Sequence, residues 1–150
     1  MEGINMGSLG LPEIALLLLL SLAVMLVPAI CYILTLYRAL GRCAPENRTM
    51  DPGLAWLLLV PVVGLVWHFM VVLNISRSLK QEFSARGIAC EPEPGKSVGL
   101  TLCILSVCSI IPFVGPLAGL GALVCWIVYW ARISSLSQRI ALPALAMNTP

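Results

Sequence analysis

The sequence predicts an all-α membrane protein, in which one N-terminal transmembrane helix precedes two helical hairpins with Pro and Gly at their tips. Hydrophobic residues make up 59% of the 150 positions and charged residues only 11%, whereas a soluble domain carries about a quarter charged residues. Three long runs contain no charged residue, and the second and third are interrupted by the related sequences VPVVG and IPFVG. The first hairpin is either re-entrant or a kinked full crossing, and the kinked crossing gives a four-span bundle.

The first uncharged run, from Ile14 to Tyr37, has 24 residues. As a helix it would measure about 36 Å, enough to cross a hydrocarbon core of about 30 Å with some tilt. We expect a span at about residues 13–37, kinked at Pro28. No Lys or Arg precedes the run, and a signal peptide needs a basic start, so this span is expected to remain as an anchor.

The second uncharged run, from Pro52 to Ser76, contains the first tip. Asp51 before Pro52 is a helix-start signal, because Asp caps free N–H groups and Pro is tolerated at the first helical position. Only about 12 Å of helix fits before Pro61, which reaches the middle of a bilayer. We expect a helical element over 53–80 whose second arm is amphipathic. Its apolar face repeats at i+3 and i+4: Val72, Ile75, Leu79 and Phe83.

The third uncharged run, Ser97 to Ala131, has 35 residues and is broken by PFVGP. It is too long for one span and fits a tight hairpin of two short helices, at about 97–113 and 116–136. The predicted hairpin tips are Pro61, Gly64, Pro112 and Gly115. The whole chain, 1–150, is expected to form a single integral membrane domain.

The distribution of Lys and Arg favours the re-entrant arrangement. The nine residues lie between the uncharged runs and after the last one: Arg38, Arg42, Arg48, Arg77, Lys80, Arg86, Lys96, Arg132 and Arg139. Cytoplasmic segments are enriched in Lys and Arg, and a full crossing leaves three of the nine outside, whereas a hairpin leaves none. The hairpin also predicts a cytoplasmic C-terminus and an N-terminus outside. Because re-entrant backbone needs shielding by protein, we expect a homo-oligomer or a membrane-protein partner.

The two tips also suggest an internal repeat. VPVVG (60–64) resembles IPFVG (111–115), and ISRSLKQ (75–81) resembles ISSLSQ (133–138). Two tandem hairpins that enter from the same side would give this pattern. Chance similarity between apolar runs remains the alternative, because the arms differ in length by six or seven residues.

Few residues in the sequence could carry chemistry. His68 and Asn74 are the candidate polar membrane residues, and six positions place them on different faces of a helix. A lone intramembrane His can relay protons, but it more often caps a neighbouring carbonyl or lies near the interface. Small residues predict close helix packing, at Gly115, Ala118, Gly119 and Ala122. The acidic residues are expected in tails and loops, and no catalytic set or phosphate loop is present. We therefore expect no enzyme and no cofactor. Six Cys without a CxxC and a single His also predict no metal site.

The stretch from Arg42 to Arg139 places a Trp before a Pro-containing turn and then a helix ending in Ser-Leu, at positions Trp56, Pro61, Trp67, Ser78 and Leu79. In this pattern it resembles small bacterial multi-pass membrane proteins of unknown function. The resemblance implies a bacterial inner (cytoplasmic) membrane and carries no activity or catalytic residue to transfer.

These observations predict a non-enzymatic inner-membrane accessory or scaffold subunit that acts through helix–helix packing. The alternative is a small oligomeric transporter or channel-like protein whose re-entrant tips line a path. The tips offer only backbone carbonyls to an ion, which favours the scaffold. The lipid bilayer is the expected environment, and a net charge of +2 gives no indication of nucleic-acid binding.

Overall fold

The computed structural model describes residues 10–146, and this part of the chain is helical without a strand. It contains four α-helices and two 3₁₀ helices, in the order α1 (Leu11–Arg42), η1 (Pro45–Asn47), η2 (Pro52–Leu59), α2 (Pro61–Ala85), α3 (Lys96–Cys108) and α4 (Gly115–Ala146). The all-α class with an N-terminal helix and two hairpins is thereby confirmed. The chain divides into two compact units, residues 1–32 and 33–150.

The described part of the first unit is the N-terminal portion of α1. The helix begins where the Glu13 side chain accepts a hydrogen bond from the Gly10 amide (2.8 Å), and an acidic residue in the first turn also favours the helix dipole. Every side chain from Leu11 to Val27 is exposed. An apolar helix that is exposed on all sides is suited to lipid rather than to water. The helix continues through Pro28 to Arg42, five residues beyond the predicted end at 37.

The second uncharged run reverses direction at Val60. The segment before the tip is antiparallel to α2, because the carbonyl of Leu54 accepts from the indole N–H of Trp67 (2.9 Å) and the Thr49 hydroxyl donates to the Asn74 carbonyl (2.9 Å). Val60 itself is extended and joins the two arms. The run is therefore a folded hairpin and not one kinked helix.

The short arm of this first hairpin differs from the expected α-helix. The side chain of Asp51 accepts from the Gly53 amide at 2.7 Å and Pro52 is the first helical residue, so the helix-start signal is confirmed. However, the eight residues that follow form the 3₁₀ helix η2. A 3₁₀ helix rises about 2.0 Å per residue, so these residues extend about 16 Å instead of 12 Å.

The second hairpin consists of α3 and α4, which are antiparallel. Gly95, just before α3, lies against Ile133, whereas Leu105, near the end of α3, lies where a Cβ on Gly121, near the start of α4, would meet it. The 13 residues of α3 span about 20 Å, which is too short to cross a hydrocarbon core. Both helices begin within one residue of the predicted starts at 97 and 116, but α3 ends at Cys108 rather than 113 and α4 continues to Ala146 rather than 136.

The two hairpins pack side by side through Gly99 of α3. A Cβ at this position would lie 2.5 Å from Val72 Cγ1 on α2 and 2.8 Å from Tyr129 Cε2 on α4. Only a glycine lets three helices approach so closely. Farther from the first tip, Lys80 of α2 lines one pocket with Lys96 at the start of α3. The two contacts together place both tips at the same end of the second unit.

The core of the second unit is apolar and includes the predicted face of α2. Val72, Ile75, Leu79 and Phe83 are all at most 1% exposed, which confirms that prediction. Other buried core residues are Ile33, Leu36, Ala39, Leu40, Met50, Ala55, Val71, Leu102, Cys103, Ala118, Tyr129, Ile133, Leu136 and Ile140.

Three helices are long and apolar enough to cross a membrane: Leu11–Arg42, Val62–Ala85 and Gly115–Ala141. Their length and composition indicate a membrane protein. The single-domain prediction for 1–150 stays a prediction.

Candidate functional site

The two hairpin tips share a hydrogen bond and a close backbone approach. The Gly64 amide donates to the Val60 carbonyl at 2.5 Å, and the Gly115 amide donates to the Ile111 carbonyl at 2.6 Å. A Cβ on Gly64 would lie 2.6 Å from the Leu58 carbonyl oxygen, and one on Gly115 would lie 2.5 Å from that of Ser109. Each residue of one tip corresponds to the residue 51 positions later in the other. The internal repeat predicts this correspondence.

The arms below the tips also keep a common register. The later repeated segments, which begin at Ile75 and Ile133, are 58 positions apart, so the second long arm has seven extra residues. Seven residues make nearly two full helical turns, so the extra length leaves the buried face unchanged. Accordingly Ile75 and Ile133 are both fully buried. The two long arms can therefore differ in length by seven residues and still bury the same face.

The surface of the tips is apolar. Val62 is 81% exposed and Phe113, which follows Pro112, is 98% exposed. The helical stretch between a tip and the first charged residue of its long arm measures about 24 Å in α2 (61–76) and about 25 Å in α4 (115–131). Both lengths are less than the thickness of a hydrocarbon core, which is about 30 Å.

The end opposite the tips holds the nine Lys and Arg residues. Hydrogen bonds join the segments that carry them: Arg42 Nη1 donates to Ser137 Oγ of α4 at 2.7 Å, and Arg86 Nη1 donates to the Ile140 carbonyl at 2.8 Å. The loop before α3 is also attached, since Arg132 pairs with Glu91 at 2.5 Å. We call this region the charged end. It carries nine basic residues against five acidic ones in the second unit.

A buried carboxylate organises the charged end. Glu82, on α2, is 2% exposed and accepts from the Ala44 amide (2.8 Å), from Asn47 Nδ2 (2.9 Å) and from Arg86 Nε (2.6 Å). Arg86 in turn binds α4 through the Ile140 carbonyl. This arrangement, the Glu82 clamp, joins the α1–η1 loop to α2 and α4. The expectation that acidic residues lie only in tails and loops is wrong for Glu82.

A second polar contact lies beside the clamp. The Thr49 amide donates to Ser78 Oγ at 3.0 Å, and Ser78 is fully buried. Ser78 and Glu82 are four residues apart and therefore lie on one face of α2. The sequence contained a signal for this face, because Glu82 follows Leu79 by three positions and Ile75 by seven.

The two predicted polar membrane residues, His68 and Asn74, both lie on α2. Asn74 Nδ2 donates to the Met70 carbonyl of its own helix at 2.8 Å. His68 is half-buried. Six positions separate the two residues by about 240° around the helix, and a functional role for either stays a prediction.

The predicted small-residue positions lie along α4. Gly115 and Ala118 are buried, whereas Gly119 and Ala122 are half-buried. At Gly119 the nearest atom to an added Cβ is Ser109 Cβ, at 4.0 Å. Close approach to α3 therefore depends on Gly115 more than on Gly119. Their role in packing against another protein stays a prediction.

The cysteines are free thiols, and within residues 10–146 no group of three His, Cys, Asp or Glu side chains could hold a metal ion. Cys43, in the loop after α1, is buried beside the clamp. Burial, with the charge of Glu82 as a second cause, raises the pKa of its thiol to about 11. This thiol is neutral at physiological pH and therefore a poor nucleophile.

Neither a protein-family model, nor a curated protein, nor a solved structure matches the chain. The resemblance to small bacterial membrane proteins therefore receives support only for its coarsest element, the helices that could span a membrane.

Proposed function

We propose that the protein is a non-enzymatic scaffold or accessory subunit of a bacterial inner membrane, with both hairpins inserted from the cytoplasmic side. The observation that carries the proposal is the separation of the second unit into a charged end and two apolar tips. Because Lys and Arg are retained on the cytoplasmic side, the charged end and the C-terminus lie in the cytoplasm. The hairpins are then re-entrant, and α1 crosses the bilayer so that the N-terminus lies outside.

The use of polar groups supports a scaffold rather than a catalyst. Glu82, Ser78 and Thr49 are engaged in hydrogen bonds that join separate elements. Such bonds make the charged end a rigid platform. The exposed surface of the hairpins is apolar and suits lipid and neighbouring helices, where van der Waals packing drives association. The partner is a second copy of this chain or another membrane protein.

The alternative of a channel-like oligomer receives less support from the tips. An ion-selectivity filter is built from rings of free backbone carbonyls or charged side chains. The tips present apolar side chains such as Phe113, and the Val60 and Ile111 carbonyls accept the amides of Gly64 and Gly115.

Purification in mild detergent followed by reconstitution tests the proposal. We expect the protein to purify with a defined set of membrane subunits or as a stable oligomer, and to give no ion flux in liposomes above that of empty liposomes. Two variants at exposed apolar sites compare the helices: Leu120→Trp on α4 and Ile104→Trp on α3. Loss of association in one variant and not in the other assigns the packing face to that helix. A homo-oligomer that conducts ions would overturn the scaffold.

A further inference from the structure

We propose that a polar pocket between α1 and α4 binds the phosphate headgroup of an anionic phospholipid. The pocket has a volume of about 130 Å³, and its lining residues are Thr35, Arg38, Arg42, Ser134, Ser137 and Gln138. Two guanidinium groups and three hydroxyl groups face a space that contains no acidic side chain. Guanidinium groups donate paired hydrogen bonds that match phosphate oxygens.

The positive charge of this pocket is not neutralised by the protein. The Arg38 side chain is exposed, and its guanidinium makes no hydrogen bond or ion pair with residues 10–146. Arg42 gives one N–H to Ser137 Oγ and retains its other donors. A second pocket, between α2 and α3, also holds cations, but an acidic side chain, Glu93, lines it and pairs with Lys96, whereas no acidic side chain lines the α1–α4 pocket. The α1–α4 pocket is thus the better anion site of the two.

Aromatic residues place the pocket at the level of lipid headgroups. Trp130 Nε1 donates to Thr35 Oγ1, on the pocket wall, at 2.8 Å. The Trp126 ring lies one helical turn nearer the second tip, and its centroid is 5.3 Å from that of the Trp130 ring. Tryptophans concentrate at the boundary between acyl chains and headgroups, and basic pockets between helices at this level bind anionic headgroups.

The surface below the pocket suits the acyl chains of the same lipid. Ile127 and Ala131 are exposed and lie on the face of α4 that carries Ser134, since the three residues follow i, i+4, i+7 spacing. This apolar stripe leads from the pocket toward the tip. A lipid would place its phosphate between the two arginines and its chains along the stripe. A free phosphate ion would use only the pocket.

Tryptophan quenching by brominated lipids tests the site. The full chain is reconstituted in phosphatidylcholine vesicles with a minor fraction of phosphatidylglycerol, and the bromine is carried by one lipid or the other. We expect brominated phosphatidylglycerol to quench several-fold more strongly per mole than brominated phosphatidylcholine. The double variant Arg38→Gln with Arg42→Gln is expected to reduce this preference to a ratio of about one, because two charge-assisted hydrogen-bond partners are removed.

The matched control removes the same charge elsewhere, in Arg77→Gln with Lys80→Gln, and is expected to keep the preference. Equal loss in both double variants would show general electrostatic attraction and overturn the site. Full retention in the Arg38 and Arg42 variant would overturn it as well. Inorganic phosphate is added as a competitor, and abolition of the preference at millimolar phosphate would assign the pocket to free anions. A melting curve of each variant in neutral detergent shows whether it is folded.

Discussion

Glu82 is the residue on which the charged end most depends. A charge without partners in a protein interior is costly, whereas one that accepts several hydrogen bonds is tolerated. Ala44 and Asn47 bind one carboxylate oxygen and Arg86 binds the other, so donors from two separate segments converge on one side chain. The clamp thereby fixes the loop that leads into the first hairpin.

The substitution Glu82→Gln tests the clamp at the level of stability. The amide would turn an NH₂ group toward N–H donors and leave Arg86 without its ion pair. We expect a loss of about 2–3 kcal/mol in the free energy of unfolding, reduced from a fully buried pair because Arg86 is partly exposed. Denaturation by SDS titration in mixed micelles measures it. Glu46→Gln, at an exposed site in η1, is the control and is expected to change stability by less than about 0.5 kcal/mol.

Cys43 gives a chemical test of the same region. A pKa of about 11 lowers the thiolate fraction at pH 7 about 100-fold relative to a thiol of pKa 9, and burial restricts access as well. In a chain that keeps only this cysteine, we expect maleimide labelling of the folded protein to be slow and to accelerate on denaturation. A single cysteine introduced as Glu46→Cys is expected to react rapidly. Equal rates for the two would contradict the buried loop.

At the scale of elements, the tips depend on glycines without room for a side chain. Gly115→Ala would place a Cβ against the backbone carbonyl of Ser109, which cannot rotate away, and we expect a loss of about 1–3 kcal/mol. Gly119→Ala, one turn later, meets no close atom and is expected to be neutral or to stabilise by up to about 1 kcal/mol. SDS titration of both variants measures the difference.

The repeat makes a further prediction about the first tip. Gly64→Ala would meet the Leu58 carbonyl in the same way, so its effect on stability is expected to equal that of Gly115→Ala within about 1 kcal/mol. A harmless Gly64→Ala beside a damaging Gly115→Ala would show that the two tips are not equivalent.

The elements of this fold could be predicted largely from local patterns. The three uncharged runs, the Asp51 cap and the apolar face of α2 are signals carried by neighbouring residues. The Glu82 clamp could not be predicted in this way, because Glu82 and Ala44 are 38 positions apart and their approach depends on the hairpin. The 3₁₀ form of η2 was also missed, since an apolar octapeptide is compatible with either helix and its packing on α2 decides between them.

At the scale of the whole molecule, the polarity of the second unit is the central feature. The same hairpin that folds the short arm onto α2 also brings Arg42 and Arg86 to one end, where both bind α4. A full crossing would have separated the arginines before the first hairpin from the later ones. The hairpin therefore gathers the basic residues at one end of the second unit, which we propose faces the cytoplasm.

Site-directed labelling tests this orientation most directly. Single cysteines at Glu46→Cys and Ser84→Cys, which flank the first hairpin at exposed positions, are introduced into a chain without its six native cysteines. A membrane-impermeant maleimide is applied to right-side-out and inverted vesicles. If the charged end faces the cytoplasm, both positions react only in inverted vesicles. Phe113→Cys, at the second tip, is expected to react poorly in both kinds of vesicle. Labelling of Glu46→Cys from one side and Ser84→Cys from the other would contradict it.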